Sequence, residues 1–377
     1  MRGRVRLVAA AMVLAAGVAL AESSAWEAVW QSETAAALTS MVGRARTKAV
    51  QDGRERSATA VVQASAGKVR FDYEARGHRW SVIDDGGRLI QLDPRARTAV
   101  VLPRPSLAVD RALAERNYVA RDAGEAVVAG RPTRIVEVAP RGKGPAARRL
   151  WLDRETSLPL KQERYNAEGR LTSATEYGEV EFGAPVPAET FAVPEGWTKV
   201  EPGGEGPRLG VQELSARMGF SVRVPRYVPE GYVLLGGYVQ EWGRWGMRPA
   251  ELRYTDGLRV LSVYERPRGE GPPGPGMGPG RGGRHRDRGG PGGRHRDDAG
   301  RGRRGRGDRG GRRGGRPGPP PQGGRRGPGF GPPGGEVMTL VDRGTEKALR
   351  YFGPELVVVV VGDVAADELV RVAKSVE

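Results

Sequence analysis

Between Pro267 and Gly335 the chain loses the means to fold. Of these 69 residues, 28 are glycine, 13 are proline and 17 are arginine. Almost nothing in the stretch can be buried, so chain entropy goes unopposed and it is expected to be disordered. Folded structure must therefore come from the sequence on either side. The closure cost of a loop rises only by about 0.6 kcal/mol per doubling of length, so such an insertion is tolerable. The flanking patterns suggest that it interrupts a hairpin between neighbouring strands.

The same stretch accounts for the charge. The protein carries a net +16; 17 arginines against five carboxylates place +12 of it here, and Arg2, Arg4 and Arg6 add three. The remainder is nearly neutral. A basic total usually points to nucleic acid, but the stretch has a single aromatic, Phe330, and so lacks stacking platforms for bases. The functional alternative is a tether, over 267–335, to an anionic envelope surface. No physiological nucleic-acid partner is expected.

Arg2, Arg4 and Arg6 precede an apolar run from Leu7 to Leu20 that closes on Ala19-Leu20-Ala21. This is the pattern of a secretory signal peptide over 1–21, cut between Ala21 and Glu22, which implies export to the periplasm. The chain has no cysteine and three histidines, of which His78 alone lies outside the arginine-rich stretch. That inventory excludes Ser/His/Asp triads, Cys/His pairs and zinc centres, so the expectation is a non-enzyme with no cofactor and no metal.

The periodicities describe two domains, 22–202 and 211–266 continued by 336–377, joined by a linker at 203–210. Ser24 to Val42 reads as an amphipathic helix with Ser24 as its cap, its tryptophans packing on a sheet. From about Ser57 the period changes to two, and Val69, Phe71 and Tyr73 alternate with Lys68, Arg70 and Asp72. About ten antiparallel strands and a short helix over 107–116 follow. A sheet that large is expected to curl, leaving its concave side as either a sealed core or a ligand cavity. Val69, Phe71, Tyr73, Trp80, Val82, Ile90 and Leu92 are the candidate cavity lining. Asp84 and Asp85, before two glycines, read as turn formers. In the second domain, strands are expected over 220–224, 234–242, 251–254 and 258–265, then 337–341, 348–352 and 356–361. The valines of 357–361 read as a strand buried on both faces. A last helix, 365–376, would be capped by Asp363.

Two sets of residues carry a family resemblance. In the first domain they are Ala129-Gly-Arg-Pro-Thr-Arg-Ile-Val136, Arg149-Leu-Trp-Leu-Asp-Arg-Glu-Thr-Ser-Leu-Pro-Leu160 and Tyr165-Asn-Ala-Glu-Gly169. In the second they are Tyr227-Val-Pro-Glu-Gly-Tyr232, Tyr254-Thr-Asp-Gly-Leu258 and Ser262-Val-Tyr264, with the closing strand and helix. The first domain resembles the LolA-like superfamily, and the pair resembles the RseB/MucB family of periplasmic sigma-E regulators. The resemblance implies an α+β, mostly antiparallel fold: a curled LolA-like half-barrel sheet with packed helices, and a smaller α+β domain carrying the insertion. It also implies binding of the periplasmic domain of an anti-sigma factor, mainly through the smaller domain. Sensing of an acyl lipid or lipoprotein ligand by the larger domain is implied too, with a periplasmic lipoprotein or lipid carrier as the alternative. The arginine-rich insertion has no counterpart in that pattern.

Overall fold

The structure is a computed structural model that describes residues 21–36, 38–51, 53–103, 110–142, 144–201, 206–241, 247–269 and 337–376. The signal segment apart from Ala21, Trp242, part of the linker and all but the first three residues of 267–335 lie outside the described residues. The described fold is α+β and dominated by antiparallel strands, arranged as one sheet of twelve strands and one of six.

The chain opens with helix α1, residues 21–36, which starts earlier and ends sooner than its periodicity predicts. Ser24 is inside it and caps nothing. Trp26, Val29 and Trp30 lie along one stripe and pack on Val136, Val138, Leu150 and Leu152, as expected for a sheet-packing face. Burying such side chains is worth about 1.5–3 kcal/mol each. Met41 and Val42, read as helical, instead begin strand β1 (Met41–Gln51). The strand hides from pattern analysis because its inward positions are small. Gly43 leaves little room, since a Cβ there would lie 3.0 Å from both the Tyr177 ring and the Glu179 carbonyl.

A meander of hairpins follows: β2 (Arg54–Ser65), β3 (Lys68–Ala75), β4 (His78–Asp84), β5 (Arg88–Asp93) and β6 (Thr98–Pro103). The Asp85 carboxylate accepts the N–H groups of Gly87 and Arg88, which is the turn-forming role its sequence suggests. Helix α2 (Arg111–Asn117), capped by Asp110, leads to β7 (Tyr118–Val128), β8 (Arg131–Pro140), β9 (Arg148–Asp153), β10 (Pro159–Tyr165) and β11 (Leu171–Phe182). β7 is one continuous strand with a bulge at Asp122/Gly124. A 3-10 turn, Ala188–Phe191, precedes β12 (Thr198–Val200), which pairs parallel to β6.

The order β12-β6-β5-β4-β3-β2-β1-β11-β10-β9-β8-β7 leaves both edges free, so the sheet is open. It bends at one end. The β7–β8 tip reaches over the short β9–β10 hairpin, and the Arg131 guanidinium lies 4.7 Å above the Phe182 ring on β11. Three strand spacings of a flat sheet would separate them by about 14 Å.

The smaller sheet comprises β13 (Val233–Val239), β14 (Ala250–Thr255), β15 (Val260–Pro267), β16 (Val337–Asp342), β17 (Lys347–Phe352) and β18 (Leu356–Gly362). Helices α3 (Val211–Met218) and α4 (Ala366–Lys374) close one continuous core that includes Leu214, Leu252, Val263, Val358, Val360, Leu369 and Val372. Four expectations change here. Helix α3 is absent from the sequence reading, while 220–224 forms no strand. Val359 and Val361 are only half-buried, so β18 has one sealed face. Asp363 does not cap α4; its carboxylate accepts the Ala167 N–H at 2.8 Å and pairs with Arg259 at 2.9 Å. Finally, β15 and β16 are not neighbours. The order β13-β14-β15-β18-β17-β16 puts two strands between them, so the insertion interrupts a crossover rather than a hairpin.

Candidate functional site

The alternation of β3 sorts its side chains to two faces, and the register carries that sorting across the meander. Val69, Phe71 and Tyr73 pair with Asp84, Val82 and Trp80, so five of the seven candidate lining residues share one face. All five are half-buried. Phe71 stacks on Tyr73 with centroids 5.9 Å apart, Tyr73 on Trp80 at 5.1 Å, and Trp80 on His78 at 5.9 Å. The result is a four-ring ladder. Burial raises the pKa of the Tyr73 hydroxyl, keeping it neutral on this surface.

Ile90 and Leu92 lie on the opposite face. Ile90 pairs with Ile83 and Leu92 with Ser81, whereas Val82 pairs with Gln91. Both join a separate cluster with Ile83, Ala99, Val101 and Phe191. The turn after Asp84 sets the parity of β5, and a list of apolar residues taken without that parity mixes the two faces.

A groove of about 1090 Å³ crosses β1–β4 and β11. Tyr73 and Trp80 reach it, and its wall also carries many charges: Arg44, Arg46, Lys48, Arg70 and Arg79 with Asp72, Glu74 and Glu176. Arg70 organises one end. Its guanidinium grips Asp72 at 2.8 Å and donates to the Thr190 carbonyl at 2.8 Å, while the Ser81 hydroxyl donates to Asp72 at 2.5 Å. The 3-10 turn is thereby pinned to β3. Sequence alternation marks Arg70 and Asp72 only as outward-facing, and nothing local signals Thr190.

A second polar cluster joins the two sheets. The Asn117 amide donates to the carbonyls of both Gly231 and Asp256 at 2.9 Å, and the Tyr118 hydroxyl donates to the Asp256 carboxylate at 2.5 Å. Burial, and then the Asp256 charge, hold the Tyr118 hydroxyl well above its ordinary pKa. Gly257, at φ +100°, lies so close to helix α2 that a Cβ would stand 2.5 Å from the Ala114 nitrogen. A second seam links the β10–β11 turn to the small sheet: Lys347 pairs with Glu168 at 2.5 Å and Arg170 with Asp342 at 3.0 Å. Gly231, Asp256 and Gly257 all belong to the segments that carry the family resemblance, and the structure places them at this joint.

Glu22 lies in α1, where Ala21 precedes it, and pairs with Arg141. Among the described residues no group of three or more His, Cys, Asp or Glu is placed to hold a metal ion, and no helix is long and apolar enough to cross a membrane.

Residues 10–194 match the MucB/RseB N-terminal domain. The sigma factor AlgU regulatory protein MucB of Pseudomonas aeruginosa is 30% identical over 150 residues, which span 40% of this chain and 44% of that protein. Among solved structures, MucB in complex with MucA(peri) is similar with a TM-score of 0.54 at 19% identity, over 93% of this chain and 97% of that one. The MucA/MucB complex of Pseudomonas aeruginosa has a TM-score of 0.55 at 18% identity, with the same coverage. Over residues 10–194 the chain matches the MucB/RseB N-terminal domain, and its two-sheet fold is similar to that of the MucB structures.

Proposed function

We propose that this chain is an exported regulator that binds the periplasmic region of a membrane-anchored anti-sigma factor and responds to a lipid-type ligand. The observation that carries the reading is the second sheet. A simple lipid carrier has no use for six further strands, two helices and a polar joint that fixes them to the first sheet. The match of the N-terminal half to the MucB/RseB N-terminal domain, and the MucA complexes of similar structures, support the same partner class. The mature chain would begin at Glu22 and act in the periplasm as a binding protein, not an enzyme. Immobilised full-length mature protein should retain the periplasmic region of the cognate anti-sigma factor, and deletion of the gene should raise sigma-dependent transcription. Absence of both effects would remove the reading.

The half-buried ladder of Phe71, Tyr73 and Trp80 supports the ligand half of the proposal and, independently, the carrier alternative. Aromatic faces that are only partly covered suit an acyl chain. Mass spectrometry of the purified protein distinguishes the readings. Acyl lipid recovered together with anti-sigma binding fits a sensor, and lipid without partner binding fits a carrier. The arginine-rich stretch adds a surface role in this scheme: removal of 267–335 should weaken binding to anionic vesicles at low salt, and equal binding would end that idea.

A further inference from the structure

Many of the strand cations of the large sheet have a carboxylate partner. Arg149 pairs with Glu137 at 2.6 Å, Arg121 pairs with the same carboxylate, and Lys161 lies 3.4 Å from both Glu163 and Glu176. Arg148, one residue earlier and therefore on the other face, has no such partner. It stands directly opposite Arg164 in the β9–β10 register. Among the described residues no carboxylate comes within ion-pair distance of either. Two like charges paired across antiparallel strands, with Cβ atoms about 5 Å apart, are destabilising.

The register shows why the charge goes unanswered. Along the rung of Arg148 and Arg164 the neighbours are Val138, Ser173 and Ala49. The next rung on the same face carries Leu150, Gln162, Thr175 and Thr47. Two carboxylates act on Arg148 from a distance, Glu33 on α1 and Asp256 from the small sheet. Asp256 is already committed to the Tyr118 hydroxyl and to the N–H groups of Leu258 and Arg259. Glu33 is exposed and makes no ion pair among the described residues. Burial, followed by the charge of Arg164, pushes Arg148 down to about 10, so it remains a cation at neutral pH.

We propose that Arg148 and Arg164 form a binding site for an oxyanion, a carboxylate or phosphoryl group, on the helix-covered face where the two sheets meet. Two guanidinium forks side by side can engage such a group with parallel N–H···O bonds. The site lies apart from the aromatic ladder and does not depend on which protein the chain regulates.

The test uses the full mature protein with inorganic phosphate and glutarate as probes, against sodium chloride at matched ionic strength. Melting temperature should rise with phosphate, glutarate or both beyond the chloride control, and calorimetry should show saturable binding. A response to phosphate alone assigns a phosphoryl ligand, and one to glutarate alone a carboxylate. Arg148→Gln and Arg164→Gln should each weaken binding at least tenfold, Glu33→Gln should tighten it, and Arg350→Gln on the exposed face of β17 should change nothing. Without anion, Arg148→Gln should melt higher than the parent, because it removes an uncompensated, partly buried charge. No response in the parent, or the same response in the double arginine variant, would overturn the proposal, and a lower melting temperature for Arg148→Gln would make the residue structural.

Discussion

The two sheets of this molecule solve the burial problem differently. The six-stranded sheet gathers its apolar side chains into one cluster, from Leu209 to Val376, sealed by α3 and α4. The twelve-stranded sheet divides its apolar residues among three clusters and leaves a ladder of aromatic rings half-covered. A single interlocked core tolerates little change in shape, whereas separate clusters joined by a bending sheet can be rearranged one at a time. The contrast assigns rigidity to the small sheet and adaptability to the large one.

The most severe way to break that contrast is to open the small core. Leu369→Ala should cost about 2–5 kcal/mol in urea denaturation, because its neighbours cannot collapse into the void. A second probe is pH. Glu265 is fully buried on β15, one of its carboxylate oxygens lacks a partner, and burial raises it from 4.5 to about 7. The folded state then holds a proton that the unfolded chain releases. The contribution is therefore fully present below pH 4.5 and is lost as pH rises to 7, a change on the order of 3 kcal/mol. Glu265→Gln should flatten that slope in denaturation curves recorded between pH 4.5 and 7.5.

The joint is a smaller lever. Tyr118→Phe leaves the Asp256 carboxylate short of a donor in a buried setting and should cost about 1–3 kcal/mol. If the sheets unfold separately in the variant, calorimetry will show two transitions where the parent shows one. The smallest effect on stability is expected on the ladder. Phe71→Ala should cost only about 1 kcal/mol, since the ring is already half-exposed, yet it should lower the acyl lipid recovered with the protein. A loss as large as that of Leu369→Ala would show the ladder to be core.

Much of this architecture could be read in advance, and the failures have physical causes. The meander from Lys68 to Leu102 announces itself because its strands alternate strongly and one of its turns is Asp84-Asp-Gly-Gly87. Strand β1 does not, because Gly43 and Ala45 carry the inward face and leave no hydrophobic signal. Ile90 and Leu92 are correctly apolar but are placed on the wrong face, since parity through a turn is a property of the backbone path. The joint is the least legible part. Asn117 and Tyr118 lie more than a hundred residues from Asp256 along the chain, and no local pattern says that they meet. Arg148 and Arg164 are ordinary strand cations until the register sets them opposite one another.

The placement of β18 and β17 between β15 and β16 has a consequence in time. Leu261 of β15 pairs with Gly362 of β18, across the whole arginine-rich stretch. Until β18 has been made, β15 has no partner on that side, and the small sheet waits with an open edge. Contacts so distant in sequence form slowly. The lobe that ends as the stiffer one is therefore the last to assemble, and a chain cut short after β16 would be left with an unpaired strand exposed.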